Sequence, residues 1–312
     1  MNAETSRVYK LPDGPVQVCF SGGRTSAYML RKLLDANGPL PERATVLFQN
    51  TGREMEETLH FVREVGTRFE TRITWVEYRP RRELDNAQLE LVADTMGEAF
   101  AERLRIWWTP DSRGFAEVSH NSAARHGKPF TALVLSRKFL PNQAARFCTQ
   151  ELKIRTAKRY LVALGWKHWT NAIGIRADEA HRSATQPRER FRTWRPLVEA
   201  GVSKRDVQAF WQRQAFDLRL PNVKGNCWLG NCDGCFLKSE ANVAAFTRDL
   251  PERAQWWEGM ERLASALTSG KGATWSKRYA RKDLRETLER QGDAVFSVDG
   301  FFCQKDDGEC TG

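Results

Sequence analysis

The chain of 312 residues carries 49 Lys and Arg against 39 Asp and Glu, a formal net charge of +10, with 41% hydrophobic residues. That composition is ordinary for a globular protein with a real core, and no apolar run approaches the roughly 18 residues of a membrane span. The opening MNAETSRVYKLPDG lacks an apolar segment, and seven unevenly spread cysteines do not read as a secreted disulfide framework. A cytoplasmic protein with no membrane partner is therefore expected.

In chain order, VQVCF (16–20) is a short apolar run that stops at SGGRTS, after which Ala27, Leu30, Leu33 and Leu34 recur at helical spacing. This predicts strand, glycine-rich loop, helix. ATVLF (44–48) is a second apolar run, followed by QNTGRE and helically spaced Thr58, Phe61, Val62, Val65 and Phe69. ITWV (73–76) is a third. Strands alternating with helices predict an α/β fold, a doubly wound, mostly parallel, Rossmann-like sheet with right-handed crossovers. Residues 85–145 read as an insertion or a lid over the sheet edge. Helical composition resumes at Glu151–Leu164, and TNAIGI (170–175) predicts a further strand. Beyond about residue 205 the alternation stops, and helical segments surround a cysteine-rich loop at 225–236. The expected organisation is a nucleotide-binding α/β domain over residues 1–205 and a helical, cysteine-rich C-terminal region over residues 206–312.

Charge is uneven along the chain. From Arg146 to Arg205 there are 14 Lys and Arg against 5 Asp and Glu, a surplus of nine. Such a surplus suits an anionic partner, either nucleotide phosphates or a nucleic acid with Phe191 and Trp194 as base-stacking candidates. A solvated basic surface is the plainer reading.

In Ser21-Gly22-Gly23-Arg24-Thr25-Ser26, successive backbone N–H groups at a helix N-terminus can converge on an anion, and the glycines permit its close approach. The spacing is neither a Walker A loop nor GxGxxG. SGGRTS resembles the PP-loop of the ATP pyrophosphatase superfamily, whose fold is adenine nucleotide alpha hydrolase-like. LFQNTGREMEETLHFV (47–62), RFCTQELKI (146–154) and IGIRADEAHR (173–182) resemble the phosphoadenosine phosphosulfate (PAPS) reductase family within it. The four stretches fall in the family's order. The intact double glycine is more like the ATP-cleaving members than the sulfonucleotide reductases, whose loop is degenerate. Many of those members carry Asp where this chain has Thr25, so Mg²⁺ would depend on phosphate oxygens and water. The resemblance implies that ATP or another adenine nucleotide binds at Ser21–Ser26. It also implies that Asn50, Thr51 and Gly52 close over the adenine or ribose side, and that Gly174 and Arg176 line the same crevice. Arg176 is the candidate for phosphate contact and catalysis. Asp178 and Glu179 either hold a metal or pair with arginines.

Cys227, Cys232 and Cys235 form C-x4-C-x2-C, and three thiols this close suit a metal centre with Cys148 as the fourth ligand. By resemblance to thiolation and phosphorothioation enzymes, this is the iron–sulfur branch, with a [4Fe–4S] cluster; a zinc site or unligated thiols are the alternatives. The ending GECTG, with Cys310, resembles the mobile tail of sulfonucleotide reductases whose thiol attacks sulfur; the plainer reading is a frayed tail. Cys19 reads as a small core residue, and the five histidines form no recognisable pattern. There is no GxSxG and no HExxH, so serine hydrolase and zincin chemistry are not expected. Three functions remain: ATP-dependent sulfur transfer through substrate adenylation, drawing on a sulfur donor; reduction of PAPS or adenylyl sulfate to sulfite, drawing on a reductant protein; and a nucleotide-binding module without turnover.

Overall fold

The computed structural model of the chain describes residues 7–182, 189–223, 226–268 and 272–291. Six strands, β1 (Val16–Phe20), β2 (Ala44–Asn50), β3 (Ile73–Tyr78), β4 (Phe115–Val118), β5 (Trp169–Ala172) and β6 (Phe191–Trp194), form one sheet in the order β4-β3-β2-β1-β5-β6. All neighbouring pairs are parallel except β3 with β4. The order reverses between β1 and β5, and a crevice opens outside the carboxyl ends of strands at such a reversal. SGGRTS leaves β1 at that point.

Helix α1 (Arg24–Asn37) buries Ala27, Leu30, Leu33 and Leu34, as its spacing predicts. It ends at Gly38, whose φ of 72° suits only a residue without a Cβ. Helix α2 (Glu56–Arg68) likewise buries Thr58, Phe61, Val62 and Val65. Residues 85–145 turn out to be ordered. They form α3 (Asn86–Met96) and α4 (Glu98–Trp107), parted at Gly97, then the antiparallel edge strand β4 and α5 (Lys128–Arg137). The helical stretch from 151 begins with a π-helical turn, Thr149–Arg155, and continues as α6 (Thr156–Ala163).

After β6, α7 (Pro196–Glu199) and α8 (Lys204–Trp211) lead to the short pair β7 (Asn222–Val223) and β8 (Asn226–Cys227). Three helices follow: α9 (Glu240–Asp249), α10 (Pro251–Leu267) and α11 (Arg281–Gln291). One continuous apolar core joins β1 and α1 to Trp211, Phe246, Trp257, Met260 and Trp275. Phe130 of α5 meets Trp256, Trp257 and Trp275 edge-on, with ring centres 5.5–5.9 Å apart. The helical region is thereby packed directly onto the sheet layer. Among the described residues, no helix is long and apolar enough to cross a membrane.

Candidate nucleotide and cysteine site

The loop after β1 is shaped by its glycines. Gly22 has φ +79°, and a Cβ there would lie 2.8 Å from Thr58 Cγ2 and 3.1 Å from Phe48. Conformation and space both exclude a side chain. Gly23 caps α1 with extended backbone, no side chain caps the helix, and its first turn holds no acidic residue. The positive end of the helix dipole is thus uncompensated by its own sequence. Ser26 Oγ donates to Gly23 O at 2.9 Å and receives the Ser21 N–H at 3.2 Å, which fixes the loop's curvature.

A small cleft lies over this loop, lined by Ser21–Thr25, Arg176, Lys204, Gln208, Cys227 and Asn231 among others. Arg176 is buried; its Nη1 donates to Thr25 Oγ1 at 3.3 Å, and it pairs with Asp178 at 3.2 Å and Glu179 at 3.0 Å. The two acids thus serve the arginine. Gly174 passes so close to α1 that a Cβ would stand 3.3 Å from Ser26 Cα. Arg24, which lines the cleft, pairs with Asp217, Nε to Oδ1 at 2.7 Å, while its carbonyl takes the Trp211 indole N–H. Asp217 and Trp211 belong to the C-terminal region, so the loop is braced from there.

Asn50 ends β2, Thr51 and Gly52 begin the adjoining β2–α2 loop, and all three are buried. Asn50 Nδ2 donates to Glu77 Oε1 at 2.5 Å and to Ala124 O at 2.9 Å. Thr51 gives both its N–H and its hydroxyl to Glu54. Gly52 O accepts from Gly127 N at 2.7 Å, an approach that a Cβ on Gly52 would block against Pro129. None of the three lines the cleft over SGGRTS, and their polar groups are spent within the protein. Burial pushes the carboxyls of Glu54 and Glu77 above the usual range despite those donors.

The cysteine loop docks on the β2–α2 loop. Asp233 is fully buried between Arg53 (2.6 and 3.2 Å), Arg253 (2.6 Å) and the Trp257 indole N–H (2.9 Å), and its own N–H reaches Arg53 O. These arginines hold its carboxyl below the usual range. Lys238 is turned inward onto Trp228 O and Gly230 O at 2.6 and 2.9 Å. Neither Arg53 nor Asp233 was a sequence-level candidate; Asp in CDGC reads as a turn former, and its partner is 180 positions away.

Cys148, Cys227, Cys232 and Cys235 all pack, half-buried, against the one core. Cys232 Sγ lies 3.4 Å from Thr51 Oγ1. Burial pushes its thiol up to about 12, with Glu54 and Cys148 adding to the rise and Lys153 opposing it. Beside Cys235, Arg281 is buried, and its Nε and Nη1 have no hydrogen-bond partner. Soft donors among buried cationic donors suit a group that carries negative charge on sulfur. In donor type these residues suit a thiolate-bound metal centre. Cys310 and Cys303 lie outside the described residues.

Two aromatic candidates are engaged within the protein. On the edge strand β6, Phe191 leans on Trp169 with ring centres 5.9 Å apart, and the Trp194 indole donates to Glu199 at 3.2 Å. A group absent from the sequence reading also appears: His60, His120 and Glu56 bring their donor atoms within 4.8 Å of one another.

No family profile matches the chain. It is 28% identical over 270 residues to the uncharacterized nin region protein ORF290 of Escherichia phage lambda, an overlap of 86% of this chain and 79% of that protein. Among solved structures it is similar to the phosphoadenylyl-sulfate (PAPS) reductase of Candida auris in its phosphate complex, with 14% identity and a TM-score of 0.37. That overlap covers 67% of this chain and 77% of the other.

Proposed function

We propose that the chain is a PP-loop enzyme that binds ATP in the cleft over Ser21–Ser26 and activates an oxygen of its substrate by adenylation for replacement by sulfur. The observation that carries this reading is that one cleft is lined both by the uncapped loop with Arg176 and by Cys227 of the cysteine loop. An anhydride-binding cradle and a sulfur-bearing loop then face one volume.

The substrate oxygen attacks the α-phosphorus, the α–β anhydride breaks, and pyrophosphate leaves. Loop N–H groups and the start of α1 stabilise the charge that develops on it. Arg176, anchored by Asp178 and Glu179, donates to phosphate oxygens, and Thr25 fixes the guanidinium's direction. A sulfur at the hydrosulfide level then displaces AMP from the activated carbon, and the proton of the original hydroxyl goes to solvent. Cys148, Cys227, Cys232 and Cys235 would hold a [4Fe–4S] cluster, which when bound supplies a site for sulfur or a path for electrons. The basic surplus over 146–205 suits a nucleic acid acceptor, with a separate sulfur donor as partner.

Anaerobically purified full-length protein tests this directly. A brown preparation with about four irons per chain that releases pyrophosphate from ATP in the presence of acceptor supports the reading. Gly23→Val is the companion variant: Gly23 lines the cleft with extended backbone that suits a side chain, so ATP binding should be lost with the melting temperature kept. Unchanged ATP affinity in Gly23→Val sinks the loop assignment. Sulfite release from adenylyl sulfate or PAPS, without pyrophosphate from ATP, would make the chain a sulfonucleotide reductase instead. A colourless protein holding one zinc would leave adenylation without sulfur chemistry at the cysteines.

A further inference from the structure

Away from the cleft, Glu56 and His60 stand one turn apart at the start of α2, and His120 follows the edge strand β4. Pairing of β4 with β3 brings His120 beside the helix, with its ring centre 4.8 Å from that of His60. Glu56 Oε1 lies 3.6 Å from His60 Nε2 and 3.8 Å from His120 Nε2. Zinc bonds of about 2.1 Å at tetrahedral angles place neighbouring ligand atoms about 3.4 Å apart; Glu56 stands within a few tenths of an ångström of that spacing from each histidine, and all three donor atoms lie within 4.8 Å of one another.

Three further features point the same way. His120 Nε2 is inaccessible to solvent and has no hydrogen-bond partner, although it faces Glu56. Its other nitrogen, Nδ1, is 3.0 Å from Asn121 Oδ1, a pairing in which Nδ1 carries the proton and Nε2 keeps a lone pair. The carboxylate of Glu56 is clamped by Arg125, Nη2 to Oε1 at 2.8 Å and Nε to Oε2 at 3.1 Å, while Arg125 also holds His120 O at 2.7 Å. A ligand carboxylate fixed by a charged neighbour is a common outer-shell arrangement around a metal. Arg125, and Arg63 at 3.5 Å from His60 Nδ1, oppose a cation here. Arg125 leaves each carboxylate oxygen a lone pair, and Arg63 lies on the exposed side of the helix.

We propose that Glu56, His60 and His120 form a mononuclear site for a divalent transition metal ion, zinc by its donor set, with the fourth position left for water. His120 also lines an open groove shared with Arg63, Arg72, Trp75 and Glu117, which borders the site on one side. Three protein ligands and one open position characterise zinc sites that act on a bound molecule, as opposed to closed four-ligand staples.

Cobalt(II) titration of the metal-free full-length chain tests the proposal, because cobalt bound to nitrogen and oxygen gives weak visible bands without the near-ultraviolet charge transfer of thiolate ligands. The wild type should take up one cobalt of the nitrogen and oxygen type. His60→Ala and His120→Ala should each weaken that uptake at least tenfold while any thiolate band stays, and Arg125→Ala should weaken it about 10- to 100-fold. His60 is half exposed, so its variant is expected to melt as the wild type does without metal. Zinc should raise the melting temperature of the wild type by more than that of His60→Ala, the difference being the share of the histidine site. Absence of this cobalt species in the wild type, or its retention in both histidine variants, overturns the site. Neither result bears on ATP binding in the cleft.

Discussion

The glycine loop and the cysteine loop face one cleft but are built by opposite means. The first is a junction between a strand and a helix, its course fixed by backbone conformation and a serine or two. The second has almost no regular structure and is held by buried charge: Asp233 between two arginines, Lys238 folded onto carbonyls, and Arg281 behind Cys235. A backbone-built loop needs few side chains to hold its course, and under the proposed function its helix N-terminus would face the ligand. A charge-held loop spends its polar groups on itself. The contrast teaches where each is fragile.

Asp233→Ala should have the largest effect, because it strands Arg53, only 2% exposed, without its counter-charge. Loss of one partner of a buried pair costs about 3–5 kcal/mol, read as a shift in the urea midpoint. Metal retention by the cysteines should fall with it, while ATP affinity of the folded fraction should hold. Loss of ATP binding to the same degree as metal would break the contrast between the loops.

Gly22→Ala is the mirror experiment. A Cβ at φ +79° and 2.8 Å from Thr58 should cost about 2–3 kcal/mol and weaken ATP, with metal retained. A smaller change sharpens the picture of how the cleft is braced. Ser203 and Asp206 form a capping box at the start of α8, whose Lys204 and Gln208 line the cleft. Ser203→Ala should cost about 1 kcal/mol by thermal melting and weaken ATP only slightly.

The smallest effect concerns pH. Glu77 is raised by burial, so the folded state binds its proton more tightly than the unfolded chain does. Stability contributed by that proton is present at low pH and is lost as pH rises from the ordinary carboxylate value, about 4.3, through the higher folded value. Glu77→Gln should flatten the decline of stability over that window. An unchanged slope would mean that Glu54 and Glu261, also raised by burial, account for it.

Much of this frame was legible from residues alone. β1, β2, β3 and the faces of α1 and α2 follow from apolar runs and helical spacing, since each is buried against the sheet and its pattern is local. β4 and β6 were not legible as strands. Each is four residues at a sheet edge, only partly buried, and its partner is fixed by the chain's path. The loop and Cys227, Cys232 and Cys235 stood out by spacing, and Cys148 by the resemblance of RFCTQELKI, whereas Arg53, Asp233 and Arg281 did not, because buried ion pairs leave no periodic trace. His60 and Glu56 share a helix face, but His120 reaches them only through β3–β4 pairing.

Arg53 and Asp233 also bear on how the chain comes to be folded during synthesis. Arg53 is buried at the carboxyl end of β2, and its counter-ion arrives 180 residues later, with Arg253 and Trp257 following. A nascent chain holding only the sheet-forming half would have to bury a bare guanidinium or leave that corner open. The sheet is therefore expected to stay incomplete on the ribosome until the cysteine loop has emerged, and fragments ending before it should be cleared by proteases instead of accumulating as a folded nucleotide-binding unit.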